Sequence, residues 1–107
     1  MNAPQFQLAV QIPTTFIGSR ITEGELEDKV HAAIFGLGKF DGITSDEAET
    51  DVFVSTNDPQ RVFRHLKPYF EASGIIDQIQ AAYRRTDASD YTVIWPAPPE
   101  EESSMLM

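Results

Sequence analysis

Eight residues near the N-terminus, Gln5-Phe6-Gln7-Leu8-Ala9-Val10-Gln11-Ile12, place an apolar side chain at every second position. Period two belongs to a β-strand with one face in a core and the other in water. The outward set is Gln5, Gln7, Ala9 and Gln11, so the sheet that receives this strand is covered on one side only. Pro13 closes the segment, since it has no N–H to give to a ladder.

The next elements follow from caps and stripes. Thr22-Glu23-Gly24-Glu25 fits a capping box, in which hydroxyl and carboxylate each satisfy a free amide. Leu26, Val30, Ala33, Ile34 and Leu37 then recur at three and four, and Gly36 and Gly38 mark the helix end. Phe35 falls opposite that stripe. Residues 39–44 form a weak strand candidate and 50–56 a stronger, β-branched one, joined by the polar loop Ser45-Asp46-Glu47-Ala48-Glu49. Asn57-Asp58-Pro59 starts a second helix, with Val62, Phe63, Leu66, Tyr69 and Phe70 as its stripe. Pro68 faces away from the stripe, so the helix is expected to bend and continue to about Ser73-Gly74. Residues 75–86 fit helix or strand. A strand over 78–85 is favoured because Thr86–Asp90 reads as a turn and Tyr91–Trp95 as a partner strand.

Strand, helix, two strands, helix and a final hairpin add up to an α+β domain. The order matches a ferredoxin-like split β-α-β arrangement: an antiparallel sheet, two helices on one face and an extra C-terminal hairpin. Residues 1–96 are read as that single domain, and 97–107 as an acidic, Pro/Glu-rich tail able to dock through Met105, Leu106 and Met107. No motif identifies a family.

Charge narrows the partners. Seventeen acids against eight Lys/Arg give −9. Residues 21–51 hold nine acids and two bases, −7, while 59–86 hold five bases and two acids, +3. A field of that sign argues against nucleic acid and anionic lipid. No apolar run reaches a membrane-spanning length and the start lacks a secretory pattern, so a cytoplasmic chain without membrane contact is expected. There is no cysteine, which removes thiol chemistry and disulfides.

The candidate chemistry is thin. His31 and His65 lie beside the helical stripes, with no nucleophile or orienting carboxylate placed by spacing. Asp46, Glu47, Glu49 and Asp51 lack the spacing and the turn glycine of a calcium loop, so neither metal nor cofactor is expected. Gly36-Leu37-Gly38 follows a helix and is a stop, not a phosphate loop. Arg61, Arg64, Lys67, Arg84 and Arg85 read as an ordinary charged face.

Tyr91, Val93 and Trp95 alternate onto one strand face, making Tyr91 and Trp95 candidate aromatic anchors. The leading expectation is a small, acidic, non-catalytic protein-binding domain of inhibitor or immunity type. It would mask a basic partner with Asp46, Glu47, Glu49, Asp51, Tyr91 and Trp95. Two alternatives stand beside it. One is a homodimeric ligand-sensing or assembly domain using the open sheet face; the other is a small enzyme using His31 or His65.

Overall fold

The computed structural model describes residues 5–96. The tail expected at 97–107, and any docking through it, lies outside the described residues. The chain forms β1 (Phe6–Pro13), α1 (Glu23–Ile34), β2 (Gly38–Ser45), β3 (Glu49–Thr56), α2 (Pro59–Ala72), β4 (Gln80–Arg85) and β5 (Thr92–Trp95). Short 3-10 turns occupy Thr14–Phe16 and Ile76–Gln78. It is an α+β molecule with, among the described residues, one five-strand, wholly antiparallel sheet and two α-helices. The strand order is β2-β3-β1-β4-β5, which differs from the four-strand layer of a bare split β-α-β. The fifth strand is there because the β-branched and aromatic segment at 92–95 pairs with the free edge of β4.

The alternation in β1 does what period two requires. Leu8, Val10 and Ile12 are fully buried, while Gln7, Ala9 and Gln11 face the other side. In register with the buried set stand Val54, Val52 and Thr50 of β3. Both helical stripes close over this face. Leu26, Val30, Ala33 and Ile34 of α1 share one core with Val62, Phe63, Leu66 and Phe70 of α2. Removing one of the larger of these side chains would cost about 2–5 kcal/mol, because the cavity left behind relaxes only in part.

Local signals explain the element ends. The Thr22 hydroxyl accepts from the Glu25 N–H and the Glu25 carboxylate accepts from the Thr22 N–H, completing the capping box. Gly36 takes φ +75° just past α1, a left-handed turn that glycine enters without strain. Phe35 caps that end and stands 89% exposed. Asp58 caps α2 by accepting from the Arg61 N–H, with Pro59 behind it. The helix runs through Pro68, which sits on its exposed side, so the carbonyl that loses a partner there can be met by water.

Among the described residues no helix is long and apolar enough to cross a membrane.

Candidate functional site

The antiparallel register sets one end of the sheet apart. Pro13 pairs with Glu49 and Gln11 with Gln80, so the end of β1, the β2–β3 hairpin and the start of β4 meet there. The helices contribute too. Lys29, midway along α1, lies 5.7 Å from the Tyr69 ring of α2. Burial first, and then the charge of Glu25 in the first turn of α1, push the Tyr69 hydroxyl up, which places the start of α1 beside the last turns of α2. The Arg20 guanidinium lies against Gly74, just past the end of α2. This end therefore gathers Glu23 and Glu25 from α1, Asp46, Glu47, Glu49 and Asp51 from the hairpin, and Glu71 and Asp77 from the end of α2 and the turn after it. Arg20 and Lys29 are bases beside them. The ion pair formed among the described residues, Arg85 with Asp87 at 3.0 Å, lies at the opposite end.

The hairpin that carries the acids is tied to the core by hydroxyls. Thr50 is a buried polar residue, 1% exposed, so its Oγ1 must find partners inside. It has two, Thr14 Oγ1 and Ser45 Oγ, each at 3.0 Å. Thr14 Oγ1 spends its single proton on the Asp46 carbonyl at 2.9 Å. The chain of donors therefore runs Ser45 to Thr50 to Thr14 to the hairpin backbone. The Thr14 N–H adds a bond to the Ala48 carbonyl at 3.0 Å.

Each expected acid has its own surroundings. Asp46 Oδ1 accepts from the N–H groups of Ala48 and Glu49, both at 2.8 Å, which closes the turn. Those two amides hold its carboxyl below the usual range. Glu47 and Glu49 are exposed, and neither carboxylate accepts a hydrogen bond or ion pair among the described residues. Asp51 is half-buried on the open face of the sheet, and its Oδ1 is shut off from water with no hydrogen-bond partner among the described residues. Burial first, and then the charge of Asp46, push its carboxyl up, against a smaller opposing pull from the Gln11 amide beside it.

The aromatic anchors do not join these acids or each other. β5 carries a bulge: Val93 pairs with Ala82 but Trp95 with Ala81, leaving Ile94 as an extra residue. The face expected to be common to Tyr91, Val93 and Trp95 is thereby broken. Val93 turns to the open side, 47% exposed, and Trp95 to the helices. Trp95 packs on Phe63 with centroids 6.1 Å apart, donates Nε1–H to the Ile76 carbonyl at 2.8 Å, and lies under Lys67 Nζ at 4.4 Å. Tyr91 precedes β5, at the other end of the sheet, beside the Arg84 guanidinium.

Two other features complete the surface. His31 and His65 are both exposed, and His31 rests against Phe40 at 5.0 Å. Among the described residues no three His, Asp or Glu side chains converge as a metal site. A cleft of about 200 Å³ opens at the acidic end, lined by Gln11, Pro13, Ala48, Glu49, Gln78 and Gln80, with Ile12 at its base and neither histidine in its wall. Sequence reading missed this cleft, because only the register of β1 with β4 brings Gln11 and Gln80 side by side. No known protein family matches the chain, and no curated protein or solved structure is significantly similar to it.

Proposed function

We propose that this chain is a small, acidic, non-catalytic protein-binding domain whose hairpin end caps a basic surface on another protein, in the manner of a cytoplasmic inhibitor or immunity protein. The observation that carries the reading is the acidic end itself. Its glutamates are exposed, its acids outnumber its bases and, among the described residues, none of its carboxylates forms an ion pair. Such a surface is costly to leave unmatched and steers a cationic partner by long-range attraction. The hydroxyl chain through Thr50 and the turn closed by Asp46 support it further, because a rigid hairpin loses little entropy on binding.

For the scaffold, we read β2-β3-β1-β4 with α1 and α2 as a ferredoxin-like split β-α-β unit extended by β5.

The test is capture of partners from the native cell by the wild-type chain and by an Asp46→Lys/Glu47→Lys/Glu49→Lys variant. The expected result is a basic protein held by the wild type, released by added salt and lost from the variant. Equal capture by both would overturn the reading.

One observation favours a second reading. The middle row of the open face runs Gly42, Phe53, Ala9, Ala82 and Val93, small or apolar throughout, between two polar rows. A homodimer built on that row is the assembly-domain alternative. Sedimentation equilibrium separates the two, with a monomer favouring the acidic cap.

A further inference from the structure

The cleft at the acidic end has a mixed lining, with Pro13 and Ala48 among its apolar residues and Gln11, Gln78, Gln80 and Glu49 as its polar ones. At about 200 Å³ it exceeds the room needed by a few waters, each of which takes roughly 30 Å³. Just outside the lining, Asp51 stands opposite Gln11 in register, with a carboxylate oxygen, Oδ1, that no donor among the described residues satisfies.

We propose that this cleft seats one arginine side chain of the partner. Its guanidinium lies among Glu49, Gln78 and Gln80, and its methylene stem lies along Pro13 and Ala48. The inference rests on the acidic-cap reading and names what that cap grips.

A lining that mixes apolar and polar residues suits a long cationic side chain, which buries its stem and keeps its head among acceptors. The choice of arginine over lysine follows from the acceptors. Three glutamines and one glutamate line the cleft, and five guanidinium donors can use several such acceptors together. A compact, strongly hydrated ammonium gains from dense negative charge, and only Glu49 in the lining supplies that. Anions are disfavoured by Glu49, with Asp46 and Asp51 close behind it.

The experiment uses the whole chain alone, with N-acetyl-arginine N-methylamide as probe and the lysine analogue as comparison. The side-chain amide resonances of Gln11, Gln78 and Gln80 are followed by NMR. Saturable shifts confined to these amides are expected, with the lysine analogue at least about threefold weaker. Glu49→Gln should weaken the arginine probe by about threefold, the size of an exposed ion pair. Ala48→Leu, at an exposed position, should block the cleft without unfolding the chain, as dispersed backbone resonances would confirm. Shifts that fail to saturate, that match for both probes, or that survive Ala48→Leu would overturn the proposal. Because no partner protein takes part, failure here leaves the charge-reversal test of the acidic cap standing, and failure of that test leaves this one readable.

Discussion

β3 ends in a buried threonine on each side, and the two ends of the sheet are built alike around them. At the acidic end Thr50 links two hydroxyls and, through Thr14, the hairpin backbone. At the other end Thr56 Oγ1 donates to the Leu37 carbonyl at 2.6 Å and accepts from the Asp58 N–H at 3.0 Å. Each threonine thus pins a loop to the core. The charges differ. At the Thr56 end Asp58 caps a helix and Asp87 pairs with Arg85, so these two acids are met by the chain itself. At the Thr50 end Asp46 is met by two amides, while Glu47, Glu49 and the Asp51 Oδ1 have no partner among the described residues. The lesson is that stability and charge are separable here. Both ends are held by neutral hydrogen bonds, which leaves the carboxylates of one end free to face outward.

Substitution of the two threonines gives the largest expected effect and tests their likeness. Thr56→Val should destabilise by about 2 kcal/mol, since it strands a backbone carbonyl and a backbone amide. Thr50→Val should cost about 1 kcal/mol or less, because its partners are hydroxyls that can turn elsewhere. Thermal melts followed by circular dichroism and by Trp95 fluorescence would measure both. Equal losses would mean that the Thr50 chain carries more than its pairwise bonds.

Asp51→Asn should raise the melting temperature at pH 7. A carboxyl whose folded pKa is raised favours its neutral form in the fold, so its ionisation weakens the native state. The gain should shrink as pH falls through that raised value and be gone below 3.8, where folded and unfolded carboxyls are both protonated. Asp46→Ala should act in the opposite sense. The Asp46 carboxyl is depressed, so the stability it adds is present above 3.8 and lost as pH falls below that through the folded value. Melts across this range would show the two curves converging from opposite sides. The smallest effect belongs to the other end: Asp87→Asn removes an exposed pair and should leave the melting temperature unchanged.

How much of this was legible depended on range. The capping box at Thr22 and Glu25, the β1 alternation and the Asp58-Pro59 helix start were readable because each is a contest between neighbouring residues and water. The acidic hairpin was readable as a charge excess. That its threonine neighbour is buried and knotted to Thr14, thirty-six residues away, was not. The Tyr91 and Trp95 alternation misled because a bulge adds one residue and reverses the faces beyond it.

The sequence by itself determined β1, both helices, the covered face and the sign of the field, since periodicity, caps and charge are local or additive, but left residues 75–86 open between helix and strand. The tertiary structure alone decided the strand order, the gathering of acids from α1, the hairpin and α2 at one end, and the cleft where the end of β1, the hairpin and the start of β4 meet. Those depend on register, which is fixed by the packing of the whole core against the helices rather than by any one segment.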